Sequence, residues 1–353
     1  MALGKLKGVK ISGITCALPT RKIENGFFAD YYGDKFVKRF ERSTGIKARY
    51  WVHSKQTASD LCLIAAKNIL QQKRMPAENI DALIFVSQTP DYKTPSTAFV
   101  LQKRLAMRKE AIVFDVNMGC TAVVHGLVIL GSMIQSGVVK NGLLLIGDAL
   151  PGREVTEDHN ASMMFSDAGG AILLEQGQEE ISYLLESDGE GFQAIMNPQG
   201  ERFPINKAKP DWRVMNYYMD GGQVFNFATA TVPKAFQKYN EYFGKKDSDF
   251  DYYVFHQANS FIIRHISNDM NILEEKVPLS ICKYANTNGA SIVVTIVDML
   301  EQGLLQRKKH IVICGFGIGL SWGIMDFDID SKCVFPILYS DEYDKEGTKI
   351  QYL

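Results

Sequence analysis

The sequence predicts an α/β fold built as two similar βα halves packed into one body. Short apolar strands alternate with helical patterns along the chain, which argues for a sheet with both faces covered. The order of elements in the first half recurs in the second. A polar stretch from Glu175 to Glu180 punctuates the two and is expected to end a strand. The halves are therefore drawn as residues 1–178 and 179–353, with a C-terminal extension after about residue 330.

In the first half, residues 9–17, 82–86, 111–116, 143–146 and 171–174 read as strands. Residues 57–73, 96–105 and 120–136 read as helices. In the second half, residues 181–186, 252–255, 277–281 and 310–314 are expected as strands. Residues 223–242 are expected as a helix, because Phe225, Ala228, Val232, Ala235, Phe236 and Tyr239 recur at helical spacing. Residues 259–269 and 291–302 complete the helices. Residues 187–219 stand apart. Gly189, Gly191, Pro198, Gly200, Pro204 and Pro210 break any period there and predict a long surface excursion. The mixed, charged tail from residue 330 receives no role.

Bulk composition narrows the class of function. The chain has 353 residues, 46% hydrophobic and 22% charged, as an ordinary globular protein does. A net charge of −1 gives no electrostatic case for nucleic acid or an anionic membrane surface. Six cysteines lie scattered with no paired spacing, so they read as reduced thiols in a cytoplasmic protein rather than as metal ligands. The N-terminus lacks the apolar core of a signal peptide. The longest apolar helical stretch, residues 122–133, is too short to span a bilayer and reads as a buried helix.

Cys120 is the leading candidate for chemistry. It stands in Asp115-Val116-Asn117-Met118-Gly119-Cys120-Thr121, at a strand-to-helix turn and the first position of a buried helix. Helix starts carry partial positive charge and unpaired N–H groups, which favour a thiolate nucleophile. The plain alternative is a small buried core residue. Three further windows bear on the choice. His256, in Phe255-His256-Gln257-Ala258-Asn259, follows directly on an apolar strand. Asn286 opens Asn286-Thr287-Asn288-Gly289-Ala290-Ser291, before an apolar helix. Gly315, Gly317, Gly319 and Gly323 form a glycine-rich loop that allows close backbone approach. Each also has a structural reading, as a hydrogen-bonded histidine, a turn with an N-cap, and a simple loop.

Together these windows resemble β-ketoacyl-[acyl-carrier-protein] synthase III, of the thiolase-like superfamily, over roughly residues 8–328. The windows Ser43-Thr44-Gly45-Ile46, Thr94-Pro95-Ser96 and Phe165 to Ala171 support it. Cys120 and His256 lie 136 residues apart, and Asn286 follows 30 later, as a matching set. The resemblance implies a thiolase-like, five-layered αβαβα body. It implies Cys120, His256 and Asn286 as catalytic residues, and the backbone N–H groups of Cys120 and Ile318 as the oxyanion hole. Thr94, Arg153, Asn259, Gly317 and Gly319 are its implied substrate-binding positions. The implied reaction is a decarboxylative Claisen condensation of an acyl thioester with malonyl-acyl carrier protein, through an acyl-Cys120 intermediate. It needs no metal or redox cofactor. It implies acyl carrier protein as partner, acyl-coenzyme A as a further possible substrate, and a homodimer.

This chain departs from the family's pattern at several places. Residues 36–42 carry no tryptophan, and Phe261 stands where an arginine often follows the His-Gln-Ala-Asn motif. Both weaken the case for coenzyme A as acyl donor. Thr94 occupies the place of a phenylalanine that projects into the partner's acyl pocket, so a bulkier acyl group is expected to fit. Ala285 replaces a glycine, and Thr121-Ala122 replaces Ser-Gly. Two other readings are a thiolase-fold acyltransferase passing the acyl group to oxygen or nitrogen, and a non-catalytic subunit of a heterodimer. The intact Cys120, His256 and Asn286 argue against the last.

Overall fold

The computed structural model describes residues 2–151, 153, 155, 158–197 and 218–347. Its framework is a mixed sheet of nine strands. These are β1 (Ala2–Leu18), β2 (Ala82–Val86), β3 (Ile112–Val116), β4 (Asn141–Asp148), β5 (Ala168–Ser187), β6 (Tyr252–Phe255), β7 (Lys309–Gly317), β8 (Ser321–Ile329) and β9 (Leu338–Tyr339). The principal helices are α1 (Asp34–Thr44), α2 (Ala58–Gln72), α3 (Thr97–Arg104), α4 (Ala122–Gln135), α5 (Gly221–Phe243), α6 (Ser260–Asp269) and α7 (Ser291–Glu301).

The strands form two leaves. One runs β3-β2-β4 into the first part of β5; the other runs β6-β7-β8 into its second part. The outer pairings of each leaf are parallel: β2 with both β3 and β4 in one, and β6 with β7 in the other. Antiparallel β1 and β5 form a long ribbon shared by both leaves. Gly8, at φ +71, sits at a register shift between Lys7 and Val9 where the ribbon passes from one leaf to the other. The polar stretch from Glu175 to Glu180 therefore does not end a strand. It is the solvent-facing middle of one 20-residue strand.

Strand residues alternate between faces, so each leaf supplies two apolar surfaces. Leu83, Phe85, Leu143 and Leu145 pack outward against α2 and α3. Ile84, Val86, Leu144 and Ile146 pack inward against α4 and α7. In the second leaf Ile311 and Ile313 join that same inner cluster, while Val312 and Cys314 face α5 and α6. The outcome is the five-layered αβαβα body, with α4 and α7 as its central layer. Ala122 to Ile134 is apolar because it is buried between two sheet leaves, as a helix hydrophobic on most sides should be. No helix among the described residues is long and apolar enough to cross a membrane.

Two further expectations are corrected. Residues 277–281 form no strand; they run from a 3-10 turn, Glu274–Lys276, into the short helix Ile281–Tyr284. The backbone N–H groups of Ser280 and Ile281 bond to the buried Gln257 side chain (3.0 and 3.2 Å), which leaves them no place in a ladder. The glycine-rich loop is also shorter than expected, because β8 begins at Ser321 and turns back antiparallel on β7. Most of the excursion at residues 187–219 lies outside the described residues. Its described ends pair as Ile195–Met196 with Tyr218–Met219. The tail packs back on the body: β9 runs parallel to the end of β1, and the Asp344 N–H donates to Asp60 (3.0 Å).

Candidate active site

The turn after β3 places Cys120 one residue before Thr121, the N-cap of α4. The cysteine is thus just outside the helix rather than at its first position. Thr121 does not cap with its side chain. Its hydroxyl meets that of Ser321 (2.9 Å), and Ser321 donates to the Ile318 carbonyl (2.7 Å). This chain of bonds ties the Cys120 turn to the loop leaving β7. Glycine makes the approach possible. A Cβ on Gly317 would stand 2.6 Å from the Cys120 sulfur, and one on Gly315 2.7 Å from its carbonyl oxygen.

Burial pushes the Cys120 thiol up to about 11, and the charge of Asp148 adds to that. The backbone N–H groups of Ile318 and Cys120 reach the sulfur and pull the other way. Burial outweighs them, so the thiolate expected from the helix start does not form at rest. The same two N–H groups are the pair expected to hold a developing oxyanion.

His256 follows β6 directly, and its N–H donates to the Cys314 carbonyl on neighbouring β7 (2.8 Å). Burial lowers its imidazole to about 4, so the ring is neutral at ordinary pH. Its Nδ1 meets Ser291 Oγ at 2.7 Å. Ser291 Oγ also accepts from the Gln257 N–H (3.3 Å). With the hydroxyl donating to Nδ1, the ring hydrogen sits on Nε2. Phe316 packs edge-on against the ring, with centroids 5.8 Å apart.

Asn286 is held through its backbone. Its N–H donates to the Met164 carbonyl (3.1 Å), and its carbonyl accepts from the Ser166 N–H (2.9 Å). Its side-chain oxygen accepts from the Asn288 N–H (2.9 Å), so the amide NH2 is the group left to offer. Ala285, just before it, has φ +53 and ψ −160. A side chain in that conformation costs about 1–3 kcal/mol, which is the physical reason a glycine fits this place better.

One cavity of about 120 Å³ brings Cys120, His256, Asn286, Asn259, Gly317 and Ile318 together, with Gln88 and Phe316 beside them. Cys120 and Gln88 come from the first leaf; His256, Asn259, Gly317 and Ile318 come from the second, and Asn286 from the turn before α7. Asn259 also caps α6, accepting from the Ile262 N–H (2.8 Å). The other expected positions lie elsewhere. Gly319, at φ +143, packs on Ser321. Thr94 lines a separate groove of about 760 Å³ with Phe99, Val100 and tail residue Glu346. Arg153 turns inward to Asp167 (2.7 Å) and over the Trp51 ring, its side chain only 8% exposed. Sequence reasoning singled out neither Gln88 nor Asp148, and gave Ser291 only as the end of the Asn286 window. Among the described residues no cluster of three or more His, Cys, Asp or Glu could hold a metal ion.

Fold and site together define the class: a thiolase-like α/β protein whose two halves meet at a cavity holding cysteine, histidine and asparagine. Family models match two stretches, 3-oxoacyl-[acyl-carrier-protein] synthase III at residues 114–189 and its C-terminal part at residues 241–329. A β-ketoacyl-[acyl-carrier-protein] synthase III of Clostridium perfringens is 32% identical over 326 residues, covering 90% of this chain and 98% of its own. A crystal structure of a Burkholderia xenovorans 3-oxoacyl-(acyl-carrier protein) synthase superposes with a TM-score of 0.89 at 31% identity, covering 96% and 99% of the two chains. The Pseudomonas aeruginosa 3-oxoacyl-(acyl carrier protein) synthase III gives 0.82 at 27%, covering 92% and 99%. The chain belongs to the β-ketoacyl-[acyl-carrier-protein] synthase III family.

Proposed function

We propose that this protein is an acyltransferase of the decarboxylating, condensing kind, and that it joins an acyl group to malonyl-acyl carrier protein through an acyl-Cys120 intermediate. The single observation that carries the reading is the convergence of Cys120, His256, Asn286 and Ile318 on one cavity. Cys120 sulfur attacks the donor thioester, and its proton leaves with the released donor thiol. The backbone N–H groups of Cys120 and Ile318 hold the oxyanion. Malonyl thioester then occupies the vacated site. His256 Nε2–H and the Asn286 amide donate to its carbonyl oxygen, stabilising the enolate formed as carbon dioxide departs. The enolate carbon attacks acyl-Cys120, forms the new carbon–carbon bond and expels the cysteine thiolate, which takes back a proton.

Loss of carbon dioxide supplies the driving force, so no metal or redox cofactor enters the scheme. The inward-facing Arg153 and the Phe261 side chain favour a carrier-protein donor over coenzyme A. Thr94, away from this chain's own cavity, fits a homodimer in which it reaches the partner's acyl pocket. A cytoplasmic location suits a chain with free thiols.

Intact-mass measurement with a panel of acyl-coenzyme A and acyl-carrier thioesters tests the first step. Wild type is expected to gain one acyl group and Cys120→Ala none. Acyl addition to Cys120→Ala sinks the assignment. Asn286→Ala is expected to acylate normally and to release carbon dioxide from malonyl-carrier protein at least about tenfold more slowly. An acylated wild type that releases none, yet passes its acyl group to an amine or alcohol, would move the reaction to another acceptor.

A further inference from the structure

Beneath the cavity lies a carboxylate that the reaction above does not use. Asp148 ends β4 and is only 2% exposed. One oxygen accepts from the Gln88 N–H (2.8 Å), the Ser87 hydroxyl (3.2 Å) and the Thr89 hydroxyl (3.4 Å). The other accepts from the Gly289 N–H (3.3 Å). No Lys, Arg or His pairs with it among the described residues. A buried anion held only by N–H and O–H groups is costly, so its presence calls for a purpose.

Its partners lie on both sides of the site. Gln88 lines the cavity, and its side chain rests against Gly119, next to the nucleophile. Gly289 belongs to the turn that begins at Asn286. That turn is pressed on the Cys120 loop so closely that a Cβ on Gly289 would meet Ala122 at 3.1 Å and the Gly119 carbonyl at 3.3 Å. We propose that Asp148 is a positioning residue for the condensation step, its carboxylate locking the Asn286 turn to the Gln88 loop beside Cys120. The proposal rests on the reaction described above.

Charge and shape make separate predictions. The titratable groups that feel the Asp148 charge are Cys120 and Cys62; for Cys120 it disfavours the thiolate. In Asp148→Asn the amide oxygen stays where three donors converge, and its NH2 then faces the Gly289 N–H, donor against donor. The Asn286 turn loosens while the Gln88 side stays held. Acylation of Cys120 should remain within about twofold of wild type, and condensation should fall at least about tenfold in kcat. The pH midpoint of Cys120 alkylation by iodoacetamide should drop by about half a unit or more.

Ser87→Ala removes one bond to Asp148 and the one its hydroxyl accepts from the Thr89 N–H (2.9 Å), but keeps both the charge and the Gly289 contact, so both readouts should stay within about twofold of wild type. Should Asp148→Asn fail to fold, Asp148→Ser, which lacks the charge and the reach to Gly289, carries the same two measurements. Unchanged condensation and an unchanged alkylation profile in the folded variant would overturn the proposal. So would equal losses in Ser87→Ala, which would mark a general support for the fold. A wild type that acylates but never condenses would overturn the reaction instead, since the alkylation profile tests the Asp148 coupling without any condensation.

Discussion

His256 is neutral in a pH range where an unfolded histidine takes up a proton. Its folded value of about 4 lies below the unfolded value near 6.5, so the unfolded chain binds more protons between those limits. Stability contributed by this site is complete above about pH 6.5 and is lost as pH falls towards 4, by on the order of 3 kcal/mol. His256→Gln should flatten that part of the pH dependence of Tm relative to wild type; an equal slope in both proteins contradicts the burial argument. At this scale the sequence singled out Cys120, His256 and Asn286 only as a set: each window alone also reads as plain structure, and the resemblance lies in their joint order and spacing. Asp148 belongs to no such set. It reads as the polar end of a strand, and its partners Gln88 and Gly289 lie 60 and 141 residues away. Ser291, likewise, reads as a helix start until His256 is brought against it.

Gln257 shows how one side chain can decide the form of a segment. Fully buried, it donates to the Phe255 carbonyl (2.9 Å) and accepts from the Ser280 and Ile281 N–H groups. Apolar residues 277–281 suggested a strand because period alone cannot see a side chain that intercepts backbone donors. Gln257→Leu leaves two buried N–H groups without partners. It should cost about 2–4 kcal/mol in denaturant unfolding and slow condensation through the displaced Asn286 turn. Stability within about 0.5 kcal/mol of wild type would show that those N–H groups find water. Helices α2, α4, α5, α6 and α7 and strands β2, β3 and β4 were close to expectation, since their apolar patterns are dictated by burial. β8 was hidden because its start lies inside a glycine-rich run.

For the whole molecule, the repeated order of elements anticipated two leaves, and the three apolar clusters between layers confirm why both faces of each leaf are apolar. What one-dimensional reading could not supply is the ribbon. Residues 9–17 read as one ordinary strand and residues 171–174 and 181–186 as two, and only the pairing of β1 with β5 reveals that each serves both leaves. Residues 1–178 alone would leave α4 without α7 and the second leaf, and β1 without half its partner. That fragment should show no cooperative thermal transition, while the full chain should unfold in one calorimetric step. A folded fragment with its own transition would contradict this.

The ribbon also bears on how substrate enters. A jaw-like closure requires a few backbone positions that swing freely between two rigid bodies. Here the ribbon's pairing is interrupted at the passage, at Gly8 between Lys7 and Val9, but α4 and α7 pack on both leaves beside it. Such a joint resists bending. Cys120 and His256, on opposite leaves, are therefore expected to keep their separation when a thioester binds; a distance between labels on the two leaves that changes on binding would contradict this.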